Sequence, residues 1–247
     1  MIAAAFVLSG QPSFAQPQLE GGTDHFKCYE TIEGTANAPI TISLTDQFGT
    51  LSNVQAMTAL ELCNPVQKTV FVDGQPVVTP IEEEEAHLTF YELTQRLRGR
   101  VRTVVVDNQF GEQTLRLGAP RLVAVPTVKN DVGTLRGVES DLSHFTCYEA
   151  SGKRLLVGAI LNDQFHEEDV LIHAPQFFCN PAAKTRAGTT TAIARDEDHL
   201  VCYKITPSEA PPQAVSTVTA ENQFERDTMK VGPSHFLCVP SEKVSFR

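Results

Sequence analysis

A seven-residue phrase that keeps returning limits what this chain can fold into. DHFKCYE at Asp24–Glu30 comes back as AHLTFYE from Ala86, SHFTCYE from Ser143 and DHLVCYK from Asp198. Each copy is followed by a second landmark, Gln-Phe after Asp or Asn: LTDQF ending at Phe48, VDNQF at Phe110, LNDQF at Phe165 and AENQF at Phe224. A third closes the unit: LCNPVQK at Leu62–Lys68, VAVPTVK at Val123–Lys129, FCNPAAK at Phe178–Lys184 and LCVPSEK at Leu237–Lys243. The His-to-Gln offset is 22, 22, 20 and 24 residues, whereas Gln to the Cys position holds at 16, 15, 15 and 15. The first interval behaves as a loop and the second as framework. Copies of one segment at this period fold as copies of one supersecondary unit, none of which can bury its apolar face alone.

Within a unit the hydrophobic period is two. In HFKCYE, alternation puts Phe26, Cys28 and Glu30 on one face and His25, Lys27 and Tyr29 on the other, and ITISLTDQF and RTVVVDNQF are β-branched runs ending in a turn. Short runs such as DVLIHA and SHFLCVP, punctuated by Pro and Gly, bring each unit to four expected strands. The chain therefore reads as all-β. The copies alternate in an A-B-A-B order: the first and third share HF, CYE, LxDQF and Asn-Pro, the second and fourth share HL, an acidic residue before NQF, and Val-Pro. Duplication of an A-B pair predicts two tandem pseudo-symmetric β-sandwich or barrel domains, each from two four-stranded repeats. The first would span 24–131 (repeats 24–68 and 86–129) and the second 142–247 (repeats 143–184 and 198–243), divided within Asp131–Asp141. A four-bladed propeller is the competing arrangement, because four strands also make a blade.

Six cysteines permit fifteen pairings, but the alignment of copies selects one. Cys28 and Cys63, Cys147 and Cys179, and Cys202 and Cys238 occupy the first and third landmarks of units one, three and four. Unit two has Phe90 and Ala124 there, so both cysteines are absent together, as expected of bonded partners. A large Phe facing a small Ala would refill the volume of the lost bridge. The bridges would close loops of 35, 32 and 36 residues, each worth roughly 3 to 4 kcal/mol in the chain-entropy model. No CxxC spacing supports thiolate metal ligation.

Hydrophobic residues make up 41% of the chain, enough for a globular core, and the net charge of −10 argues against nucleic acid or an anionic membrane as partner. The opening MIAAAFVLSGQPSFAQPQ has an apolar run followed by Ser13-Phe14-Ala15, which predicts a signal peptide at 1–15 cut after Ala15, although Lys or Arg is missing before the run. Beyond it no stretch has the length of a membrane-spanning helix. A secreted or periplasmic location follows, and it suits disulfides.

The recurring His25, His87, His144 and His199 are the most tempting chemical groups, since imidazoles meeting between units would suit copper or zinc. The preferred expectation is structural: each His hydrogen-bonds the Asp or Asn of a Gln-Phe turn. Asp46, Asn108, Asp163 and Asn222 are expected to accept backbone hydrogen bonds in those turns, one oxygen ligand per copy being too few for calcium. His166, Glu167, Glu168, Asp169 and His173 do not have HExxH spacing and read as a solvated loop with a weak metal option. Arg96, Arg98, Arg100 and Arg102 alternate along one face of a strand, as an edge guard paired with Glu82–Glu85 or as a stripe for an anionic partner. No GxSxG, phosphate loop or triad ordering is present, and no cofactor is called for.

The combination HFxCYE, [DN]QF and CxPxxK resembles tandem repeats of uncharacterised secreted bacterial proteins, a β-rich family labelled as a domain of unknown function. The resemblance runs from Asp24 to Lys243, with unit two departing from it at the cysteines. It implies an exported β-rich module and no activity. The functional expectation is a binding or structural module at the cell exterior with a protein or surface partner. The alternatives are a periplasmic copper or zinc protein using the repeated His, and a hydrolase whose site the sequence does not display.

Overall fold

Each copy folds as a short strand, a hairpin strand and one long return strand. The computed structural model describes residues 22–34, 38–94, 101–130, 141–209 and 216–247. Unit one comprises β1 (Phe26–Glu33), β2 (Ile40–Asp46) and β3 (Gly49–Pro65), extended by the hairpin of β4 (Gln67–Val72) and β5 (Gln75–Thr79). Unit two comprises β6 (His87–Leu93), β7 (Arg102–Asp107) and β8 (Gln113–Asn130). Unit three has β9 (His144–Ser151), β10 (Val157–Asn162), β11 (Glu167–Arg186) and the short β12 (Thr189–Thr191). Unit four has β13 (His199–Pro207), β14 (Ser216–Asn222) and β15 (Arg226–Phe246).

The shared unit is thus three strands, not the four expected, because DVLIHA and SHFLCVP lie inside the long β11 and β15. Pro and Gly do not end these strands. Pro120 and Pro175 sit between register shifts in β8 and β11, and the shift in β15 spans Gly232 and Pro233. Bulges tolerate a missing N–H and bend the strand, so each long strand changes partners there.

Before the bend, the long strand pairs with its own hairpin strand; after it, the strand enters a closed ring. The ring order is β1, β3, β6, β8, β9, β11, β13, β15 and back to β1, antiparallel at every step. It is not a regular barrel, since the bulged strands leave it at both ends to join one fifteen-stranded sheet. The units thus join one large antiparallel sheet with a ring of strands, where the sequence led us to expect paired sandwiches or barrels, with propeller blades as the competing arrangement. Pairing is continuous from β8 to β9 and from β15 back to β1. The expected boundary Asp131–Asp141, apart from Asp141, and the signal peptide 1–15 lie outside the described residues.

The alternation has another structural expression: A units pair with each other and B units with each other. Beyond the ring, β4 of unit one pairs with β10 of unit three, and the end of β11 pairs with β2. The end of β8 likewise pairs with β14 of unit four, and the end of β15 with β7.

Three apolar clusters follow from the strand alternation. Phe26 and Cys28 turn into one cluster with the other cysteines, Phe90, Ala124 and Phe145, whereas Tyr29 turns into another with the hairpins of units one and four. The third packs the hairpins of units two and three against Tyr148 and Tyr203. The disulfides Cys28–Cys63, Cys147–Cys179 and Cys202–Cys238 join directly opposite residues of adjacent strands. Phe90 and Ala124 are directly opposite in the same way, and both are fully buried.

Candidate functional site

The repeats converge on a buried polar cluster built four times from the three landmarks. In every copy the Asp or Asn before Gln-Phe accepts the backbone N–H of the Phe two residues on: Asp46 at 2.7 Å, Asn108 at 2.9 Å, Asp163 at 3.0 Å and Asn222 at 2.8 Å. This Asx turn presents the Phe ring edge-on to a motif tyrosine of the unit two places away. The pairs are Phe165 with Tyr29, Phe48 with Tyr148, Phe224 with Tyr91 and Phe110 with Tyr203, with centroids 5.0–5.3 Å apart.

The same tyrosines, rather than the histidines, make the hydrogen bonds to the Asp or Asn of landmark two. Between A units, the Tyr29 hydroxyl donates to the Asp163 carboxylate at 2.9 Å and Tyr148 donates to Asp46 at 2.8 Å. Between B units the direction reverses. Asn222 donates its amide to the Tyr91 oxygen at 2.8 Å, and Asn108 donates to Tyr203 at 3.0 Å. Burial pushes all four phenols up, Tyr203 to about 12. Burial also raises Asp46, against the hydrogen bonds from Tyr148 and Phe48.

A third member completes each link. Asn64 donates to Asp163 at 3.1 Å, whereas in the B units the landmark hydroxyls of Thr127 and Ser241 accept from Asn222 at 3.4 Å and Asn108 at 2.9 Å. Asn-Pro-Val/Ala therefore travels with Asp-Gln-Phe, and Val-Pro-Thr/Ser with Asn-Gln-Phe. This covariation among the four copies was the sequence signal for A-to-A and B-to-B contact.

The closing lysine of each unit, given no weight from sequence, sits over the Gln-Phe ring of the following unit. Lys68 lies 5.9 Å from the Phe110 centroid, Lys129 4.4 Å from Phe165, Lys184 5.2 Å from Phe224 and Lys243 5.7 Å from Phe48. Burial lowers Lys68 to about 7, and burial with Arg186 lowers Lys184 to about 8. The recurring His of the same unit shares the site, and His25 Nε2 is 3.0 Å from Lys68 Nζ. Burial and then the lysine charge depress His25 and take His87 and His144 to about 3; burial brings His199 to about 4. These rings are neutral, and an ammonium beside an imidazole opposes a second cation. Among the described residues no three His, Cys, Asp or Glu converge as a metal site.

The acidic run of unit three belongs to a strand, not to a solvated loop. Glu167–Asp169 and His173 lie in β11, where Glu168 is buried, paired with fully buried Lys27 at 3.1 Å and bonded by Ser234 at 2.6 Å. His173 meets Thr206 at 3.0 Å instead. Of the arginine stripe, Arg96, Arg98 and Arg100 lie outside the described residues. Arg102 stacks on Phe48 at 4.9 Å and donates to its carbonyl at 3.1 Å.

Beside one cluster lies a groove of about 670 Å³, walled by Val70, Val77, Phe110 and Val170 with Gln109, Asp169 and Ser208 as polar groups. The Asp73-Gly74 turn, with φ of 51° and 78°, folds β4 and β5 over it as a tight hairpin. Phe71 and Leu156 stand at its lining, 58% and 52% exposed, and Leu156 has a left-handed φ of 80°. A bulky residue in that region is strained by roughly 1–3 kcal/mol, a cost found most often at contact sites.

No curated protein and no solved structure matches the chain. A family profile described as a repeat of unknown function (DUF7450) matches residues 87–240, the third landmark of unit two and all of unit three included. With well over half its length matched, the chain belongs to the family of repeats of unknown function DUF7450.

Proposed function

We propose that this chain is a secreted or periplasmic, disulfide-braced β-repeat module that works by binding, with the groove under the β4–β5 hairpin as its contact face. A protein or surface component at the cell exterior is the partner. The observation that carries this is the pairing, at one opening, of an exposed aromatic ring, Phe71, with the strained Leu156. Apolar surface left in water around a concave site marks a contact face, and the few polar groups there, Gln109, Asp169 and Ser208, would orient what binds. Three disulfides support an oxidising, extracytoplasmic location, which the apolar start and the small residues before Ala15 would provide for by export. The halves 24–131 and 142–247 descend from one A-B pair, in keeping with their reciprocal A-to-A and B-to-B contacts.

Titration with an anilinonaphthalene sulfonate dye tests the contact face. The native protein should bind it saturably, and a Phe71→Ser/Val77→Ser variant with the same disulfides and thermal midpoint should not. Equal dye binding by the two proteins would remove the groove from consideration.

A further inference from the structure

One polar cluster sets an amine, a carboxamide and a carboxylate in a row. Lys129 Nζ lies 3.2 Å from Asn64 Oδ1, and Asn64 Nδ2 donates to Asp163 Oδ2 at 3.1 Å. Asn64 is fully buried and Lys129 is 9% exposed. The Phe165 ring covers the amine at 4.4 Å, and Tyr29 holds the Asp163 carboxylate from another side at 2.9 Å.

We propose that Lys129 and Asn64 condense into an intramolecular isopeptide bond, with Asp163 as the proton carrier. The oxygen that Nζ touches is bonded to the carbon it attacks, so a short shift of the amine from the oxygen to the carbon of the same carboxamide brings the reacting groups together. With amine and carboxylate held on either side of one buried carboxamide, transfer of a proton from the ammonium to the carboxylate removes two opposite charges and leaves a nucleophilic amine. Nζ then attacks Cγ of Asn64, and the Nζ–Cγ bond forms. Asp163 passes its proton to Nδ2 and takes a second one from Nζ. The Cγ–Nδ2 bond breaks and ammonia leaves, picking up the proton held by Asp163. The products are a neutral secondary amide and ammonium, and Asp163 returns to its carboxylate with no oxidant or co-reactant required.

Pro65 closes off the competing route. Asparagine ordinarily loses ammonia through attack by the next backbone N–H, which proline lacks. In the B units Val125 and Val239 stand where Asn64 stands, so no such condensation is open to them. In the place related by the A-to-A symmetry, Lys243 Nζ makes no hydrogen bond to Asn180, so the proposal concerns one bond. That bond would join β3 to β8 across β6 and link units one and two, the latter lacking a disulfide of its own.

The test is a tryptic map of the full-length protein after reduction and complete unfolding. A branched peptide joining the Asn64 and Lys129 segments, lighter than their sum by one ammonia and uncut at Lys129, is expected in place of the two linear peptides. Ammonia lost from a terminal glutamine would fall on a different peptide and leave Lys129 cleavable. Cleavage at Lys129 with Asn64 on an unmodified linear peptide overturns the bond. An Asp163→Asn variant that retains the three native disulfides should lack the branched peptide; if it forms as much as the native chain, Asp163 is not the proton carrier.

Discussion

Replacing Phe90 by Ala should be among the most damaging single changes in the molecule. Phe90 and Ala124 are opposite one another, fully buried, and share a cluster with all six cysteines. Phe-to-Ala changes in cores cost about 3–5 kcal/mol, the larger values where the surroundings cannot collapse into the void. The flanking strands β3 and β9 are each held by a disulfide, Cys28–Cys63 and Cys147–Cys179, so relaxation is restricted and about 5 kcal/mol is expected. Ala124→Phe alone overpacks the same place, at about 1–3 kcal/mol. The exchange Phe90→Ala/Ala124→Phe conserves volume and should cost less than the sum of the two by about 2 kcal/mol. Urea unfolding in oxidising buffer, with disulfides mapped before and after, measures all four corners of this cycle. A Phe90→Ala cost under about 1 kcal/mol, or strict additivity in the exchange, would refute the idea that this pair fills the space of a missing bridge.

Loss of a tyrosine hydroxyl should matter more between A units than between B units. Tyr29→Phe deprives a carboxylate of its donor, at about 1.5–3 kcal/mol, whereas Tyr91→Phe removes only a neutral acceptor from Asn222, at about 0.5–1.5 kcal/mol; equal costs in urea would count against the assigned directions. Stability should fall on acidification below pH 6.5. His87, His144 and His199 titrate at about 3, 3 and 4 when folded against 6.5 otherwise, so the unfolded chain takes up protons that the folded one refuses. The stabilisation is complete above 6.5 and is lost as pH drops toward the folded values, at about 1.4 kcal/mol per pH unit per ring. A thermal midpoint flat from pH 7 to 4.5, or one unaltered in slope by His87→Gln, contradicts this. The sulfurs are wholly buried, so iodoacetamide with a mild reductant should label none of the six until denaturant is added; labelling in the native protein would show the ring interior to be open.

The sequence carried the unit and its bridges more clearly than the assembly. Cysteine pairing was legible because Phe90 and Ala124 replace both partners at once, and the turns were legible because Asp or Asn before Gln-Phe has one local hydrogen bond to make. Strand count was misread at Pro120, Pro175 and Gly232-Pro233, where a bulge lets the chain continue with a new partner. The histidines drew attention as metal ligands, yet burial, and after it the charge of the repeated lysine beside them, keeps His87 and His144 neutral. The A-B-A-B order suggested neighbours folding together. Neighbours do pair in the ring, and in addition Asp and Asn choose tyrosines two units away, which only coordinates or the covariation with Asn64, Thr127, Asn180 and Ser241 reveal.

Closure of one ring by the first and last strands is the claim on which the rest depends. Glu33 of β1 and Lys230 of β15 are register partners on the exposed side of that seam, joined by an ion pair of 2.6 Å. Cysteines placed at two such positions lie within disulfide reach only if the seam is closed. In Glu33→Cys/Lys230→Cys, non-reducing peptide mapping should find a fourth bridge, 33 to 230, alongside the three native ones. Two free thiols at those positions, with the native disulfides intact, would contradict the ring.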